Sequence, residues 1–99
     1  MKNNNTIYEL TIVYTPDAVE GTMASALRAV LKGLGVEIVK MEWEGVKRLA
    51  YPVQSYDEGN YFYCELTGLD PNSVSGLNAY LEDNREVLRY LLVPQDVRR

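Results

Sequence analysis

The sequence predicts an α+β domain: a four-stranded antiparallel sheet with two helices on one of its faces. Three observations lead there. Four short runs are rich in β-branched and aromatic residues. Two stretches of helical period lie between them, one after the first run and one before the last. The chain is 99 residues long, room for one core only. The order is β-α-β-β-α-β. Right-handed crossovers then bring the first and last strands side by side and put both helices on the same face. This is the split βαβ, or ferredoxin-like, arrangement, read as a single domain over residues 1–99. The opposite sheet face is left uncovered. Many unrelated activities use this fold, so it decides no function.

Each element has a local reason. In residues 7–14, Tyr8, Leu10, Ile12 and Tyr14 share one apolar face, while Ile7, Glu9, Thr11 and Val13 share a mixed one. Thr15-Pro16-Asp17 ends this strand, and Thr15 or Asp17 is positioned to cap the helix that follows. That helix carries Val19, Met23, Leu27, Val30, Leu31 and Leu34 at spacings of three and four, and Gly35 suits its left-handed terminus. Residues 36–43 read as a second strand whose alternation slips at Ile38-Val39; Gly45 breaks or kinks it, and 46–54 continue extended. Pro52 belongs at a sheet edge or a strand end. Asp57-Glu58-Gly59-Asn60 is turn chemistry, and 61–67 form the third strand. Asp70-Pro71 opens the second helix, with Val74, Leu77 and Leu81 as its stripe; Asp83-Asn84 ends it, and 87–93 form the last strand.

Composition narrows the chemistry. Hydrophobic residues make up 46% and charged residues 24%, ordinary values for a folded chain. No stretch approaches the roughly 20 apolar residues of a membrane helix, so no membrane partner is expected. The first residues carry neither an apolar signal region nor an Arg-rich presequence. A cytoplasmic location is therefore expected, with an organellar site the other compartment open to this reading. There is no histidine, which removes Ser–His and Cys–His nucleophile systems and His-type metal sites. Metal-carrying modules of this fold use a Cys-x-x-Cys pair, whereas the chain has one cysteine, Cys64, in a strand setting that suits a buried small residue. No Gly-rich anion loop follows the first strand. Glu42/Glu44 and Asp57/Glu58 read as solvated charge. The chain is therefore expected to be no enzyme and to carry no cofactor and no metal.

Net charge is −4, which argues against binding nucleic acid through overall charge and leaves room for a local basic patch. Residues 1–50 carry six Lys/Arg against six Asp/Glu; residues 51–99 carry four against eight. An anion-facing surface should therefore draw on the first half and on Arg98-Arg99. Tyr61-Phe62-Tyr63 lacks the glycine and basic framing of base-stacking RNA modules, and packing is the preferred reading of these aromatics. Gly45-Val46-Lys47-Arg48-Leu49-Ala50-Tyr51-Pro52 is the sharpest local feature. By itself it reads either as an edge guarded by charges and Pro or as a docking surface.

As a whole that motif resembles the signature of the bacterial-type family of small-ribosomal-subunit protein number six. The similarity extends to Tyr8-Glu9-Leu10, Thr15-Pro16-Asp17, Gly35, Gly59-Asn60-Tyr61-Phe62, Asp83-Asn84 and Val87–Val93. The first helix is about one turn short of the family pattern, and Val53-Gln54 and Pro94 stand where basic or other residues are commoner, which thins the basic surface. The resemblance implies a structural constituent of the small ribosomal subunit. It implies binding to the central domain of small-subunit ribosomal RNA together with small-subunit ribosomal protein eighteen, and no DNA. The acidic surface of 57–86 would then face solvent or a basic partner. On this reading Lys2, Lys47, Arg48, Arg98 and Arg99 are the expected RNA contacts, and the hairpin edge with Glu42, Trp43, Arg48 and Tyr51 is the expected partner interface. The alternative is a regulatory or oligomerising ferredoxin-like module that binds a small ligand.

Overall fold

The structure, a computed structural model, describes residues 6–95. The elements run β1 (Tyr8–Tyr14), α1 (Glu20–Gly33), β2 (Glu37–Val53), β3 (Tyr56–Thr67), α2 (Pro71–Asp83) and β4 (Val87–Pro94). They form one antiparallel sheet in the order β2-β3-β1-β4.

β1 pairs on both sides and is the strand most deeply enclosed. Its even-numbered face, Leu10, Ile12 and Tyr14, is fully buried and continues across β3 through Phe62, Cys64 and Leu66. Met23, Leu27 and Leu31 from α1 and Leu77 and Leu81 from α2 close over that face. Each leucine sealed there contributes roughly 1.5–3 kcal/mol of hydrophobic stabilisation. Both helices therefore cover the same side of the sheet, as the β-α-β-β-α-β order requires.

The helix ends show where local chemistry acts. At α2, Asp70 accepts a hydrogen bond from the Ser73 backbone N–H, and the Ser73 hydroxyl accepts one from the Asp70 N–H, both at 2.8 Å. With Pro71 at the first helical position this is a complete capping box. At the end of α1, Gly35 has φ +76°. The Val36 N–H then reaches the Leu31 carbonyl at 2.9 Å and the Gly35 N–H reaches that of Lys32 at 3.1 Å, a Schellman closure. The start of α1 differs from the sequence reading. Val19 holds the cap position and no side chain bonds the first turn. The loop is instead fixed by its backbone, with Ala18 N–H on the Thr15 carbonyl at 3.0 Å and Thr15 N–H on that of Glu86 at 2.9 Å.

The hairpin differs more. β2 runs unbroken through Gly45, which adopts φ +91° at a register shift between Trp43 and Gly45. A second shift falls between Ile38 and Lys40, where the alternation slips. Asp57–Asn60 are not the turn; they lie within β3. The chain reverses at Gln54-Ser55, whose φ values of 51° and 74° are the left-handed pair of a two-residue primed turn between Val53 and Tyr56. Neither residue is the Asn or Gly that such a turn favours, so nothing at 54–55 marks it.

The lengthened hairpin curls over the uncovered side of the sheet. Leu49 is 6% exposed and packs with Val13 and Leu88, with Val53 and Tyr61 against them, as a second, smaller apolar cluster. Gly59 makes this possible, because a Cβ there would fall on Val13 Cγ1 and approach Leu49 Cδ2 to 3.4 Å.

This geometry has two consequences for stability. The double substitution Gln54→Asn/Ser55→Gly should raise the urea midpoint, by about 1 kcal/mol in stability, because it supplies residues that accept positive φ. Gly59→Ala should lower stability by about 1–3 kcal/mol through overpacking under Leu49, with the loss seen in the same urea titration.

Candidate nucleic-acid interface

β2 is an edge strand, so its outer backbone groups have no neighbouring strand among the described residues. Alternation along it sends neighbouring side chains to opposite faces. Lys47 lies over the uncovered face: its ammonium sits 5.2 Å from the centre of the Tyr61 ring and 3.2 Å from Glu44 Oε1. Arg48 pairs in register with Glu58 and is exposed. The adjacent cations of the sequence motif therefore face different sides rather than forming one patch. Glu42 is exposed opposite Tyr63 in register.

The two candidate aromatic anchors separate as well. Trp43 packs inward, its ring stacked on Tyr14 at 5.6 Å and tilted against Phe62 at 5.1 Å. It is half-buried, so much of its surface is committed within the domain. Tyr51 is 63% exposed near the hairpin tip, with the Arg89 guanidinium 5.6 Å from its ring centre. In the sequence Arg89 reads only as an exposed sheet residue. The curl of the hairpin joins it to Tyr51, although 38 positions separate them in the chain. Its alternation with Leu91 on β4 is legible in the sequence; its meeting with Tyr51 is not. Lys2, Arg98 and Arg99 lie outside the described residues.

On the uncovered face, Tyr61 and Tyr63 point away from Phe62, as strand alternation requires. Tyr61 packs on the small cluster, in line with a packing role. The Tyr63 hydroxyl donates to Glu65 Oε2 at 2.7 Å; burial, and then this carboxylate, raise its pKa. Gln95 Nε2 donates to Glu9 Oε2 at 3.1 Å, and Glu9 stands opposite Glu65 in register. The face is thus cationic at the hairpin end and anionic at the other.

Cys64 is fully buried on the helix face, and burial pushes its thiol pKa up to about 12, so it stays protonated at neutral pH. No group of three His, Cys, Asp or Glu among the described residues is arranged to hold a metal ion. No helix among them is long and apolar enough to cross a membrane.

The fold and this surface define a class: a ferredoxin-like α+β domain with an exposed edge hairpin. The family profile described as ribosomal protein S6 matches residues 7–94. The small-ribosomal-subunit protein bS6 of Synechococcus elongatus is 34% identical, covering 94% of this chain and 85% of its own. That of Trichodesmium erythraeum is 30% identical, covering 95% of this chain and 82% of its own. A crystal structure of 30S ribosomal protein S6 from Thermotoga maritima superimposes with TM-score 0.78 at 20% identity, over 93% of this chain and 89% of that one. The C-terminal domain of the MgtC protein from Mycobacterium tuberculosis, at 13% identity and TM-score 0.68, covers 100% of this chain and 97% of that one, a likeness of fold alone. The chain belongs to the ribosomal protein S6 (bS6) family of the small ribosomal subunit, whose members are structural proteins and not enzymes.

The same core contains an unpaired polar atom with a measurable consequence. The Tyr14 hydroxyl is buried and has no hydrogen-bond partner among the described residues. Burial, with smaller contributions from Tyr80, Cys64 and Glu86, raises its pKa above the ordinary 10.0. The folded state therefore keeps this proton where the unfolded state loses it. Its contribution to stability is complete below pH 10.0 and falls as pH rises beyond that value. Tyr14→Phe should be neutral or stabilising by about 1 kcal/mol at neutral pH, and its stability should fall less between pH 9 and 11 than that of the parent, as read by urea unfolding across that range.

Proposed function

We propose that this bS6 family member acts in ribosome assembly by binding the central domain of small-subunit ribosomal RNA in company with small-subunit ribosomal protein eighteen. Family membership supports this reading, and the observation that carries it is the edge hairpin. β2 offers an unpaired strand edge whose exposed side chains include Glu42, Arg48 and Tyr51. The protein partner docks along Glu42–Tyr51. Tyr51 is the exposed anchor, and Glu42 and Arg48 set orientation as rim charges. Trp43 supports the strand from beneath through its stack on Tyr14. Ribosomal RNA meets Lys47 and Arg48, and Lys2, Arg98 and Arg99 complete the set of phosphate contacts.

With net charge −4, the chain gains little from RNA by charge alone. A basic partner supplies most of the phosphate contacts, and the acidic residues of 57–86 face that partner or solvent. The protein works in the cytoplasm as part of the ribosome.

The reading is tested by two measurements on the complex with the basic partner. In pull-downs, Arg48→Glu and Tyr51→Ala should reduce partner capture while keeping the parent's circular dichroism; equal capture by both would remove the hairpin edge as the interface. In RNA binding, replacing Lys47 and Arg48 by Gln should flatten the log-affinity against log-salt slope by about 0.9 for each phosphate that is no longer neutralised on duplex-like RNA.

A further inference from the structure

The uncovered sheet face contains a depression of about 420 Å³, lined by Thr11, Val13, Tyr61, Arg89, Tyr90 and Leu91. Its geometry follows from the register. Val13 stands between Tyr61 on β3 and Arg89 on β4, forming one row across three strands. Adjacent strands are about 4.8 Å apart, so the backbones bearing the tyrosine and the guanidinium are about 10 Å apart with a short, buried valine between them. A flat ring system needs about 7 Å between the planes that sandwich it, one stacking distance of about 3.5 Å on each side. The next row places Thr11 between Tyr63 and Leu91, which adds a hydroxyl and, in Leu91 at 61% exposure, an apolar rim.

Charge identifies the occupant. None of the lining residues is a carboxylate. Arg89 makes no ion pair with a described residue and is held by the face of Tyr51, while Lys47 lies over the ring of Tyr61 and is ion-paired with Glu44 at 3.2 Å. Arg89 is thus the cation that lines the slot, Lys47 stands behind its Tyr61 wall, and Glu9 and Glu65 stand opposite each other two rows away. A planar ligand with an attached anion would place its ring over Val13 and its anion toward Arg89. An aromatic peptide side chain brings the ring without the anion.

We propose that this depression holds one unstacked nucleotide of single-stranded ribosomal RNA, its base between Tyr61 and Arg89 and its phosphate at the Arg89 end. The inference rests on the RNA-binding reading above and narrows it to a looped-out or unpaired nucleotide, a class read through stacking rather than duplex shape. Arg89 and Tyr61 then bind RNA on a face distinct from the one occupied by Arg48.

The test uses small subunits reconstituted with the full chain, irradiated with short-wavelength ultraviolet light and analysed by peptide mass spectrometry. A ribonucleotide adduct is expected on the peptide carrying Tyr61 or on that carrying Arg89. Arg89→Gln changes an exposed side chain and should fold as the parent does. In mixed reconstitution it should be incorporated less well than the parent, on the order of tenfold. Tyr61→Leu should do the same if it folds. Co-sedimentation with no adduct at these peptides, or equal incorporation of Arg89→Gln, overturns the nucleotide slot and leaves the ribosomal reading standing. A crosslink from this face to a protein peptide assigns it to a protein partner and also overturns the slot. Failure of the parent chain to enter the subunit overturns the RNA-binding reading itself.

Discussion

The close approach at Gly59 controls what the uncovered side of the sheet can be. A four-stranded sheet with helices on one side normally leaves its other face wet. Here the hairpin tip returns across that face, and it can do so because position 59 presents only hydrogen where any other residue would meet Val13. Leu49, Val13 and Leu88 then form a second cluster outside the main core. The same curl brings Tyr51 under Arg89 and Lys47 over Tyr61, so the arrangement of cations and rings depends on one missing side chain. Overpacking such a junction costs about 1–3 kcal/mol, a large share of the stability of a domain this small.

The electrostatics suit a member of an assembly. With more acidic than basic residues, the chain cannot rely on long-range attraction to phosphate. Two of its cations are instead held at defined points: Lys47 between Glu44 and Tyr61, and Arg89 over Tyr51. A ring under a cation holds it by electrostatic attraction and limits its motion. An acidic bS6 member can therefore offer local, directional contacts where overall charge gives it little attraction to phosphate.

The sequence is most legible where a local rule acts alone. The Asp70-Pro71 start of α2, the Gly35 closure of α1, the buried alternate face of β1 and the order of all six elements follow from capping, left-handed glycine and periodicity. It misleads where tertiary packing outweighs local preference. Asp57–Asn60 has strong turn composition, yet the cross-strand pairs of β3 with β2 extend through it, and the reversal moves to Gln54-Ser55. Gly45 reads as a break, yet a register shift absorbs its positive φ within a continuous strand. Thr15 and Asp17 are good caps, yet backbone bonds to Thr15 already hold the loop and Val19 takes the cap position.

By itself, then, the sequence determined the fold class, most of the helix-side core (Val19, on the apolar stripe by spacing, is 63% exposed at the start of α1) and, through the Gly45–Pro52 motif, the resemblance to a ribosomal family. These depend on residue type and on spacing within one element. Tertiary structure alone decided which sides of the sheet Lys47 and Arg48 face, that Trp43 is largely spent on Tyr14 and Phe62, and that Arg89 belongs with the hairpin. Those outcomes depend on register shifts and on the curl of a long hairpin. A shift of one residue reverses the face of every side chain beyond it, and no single-strand pattern records where the partner strand's shift will fall.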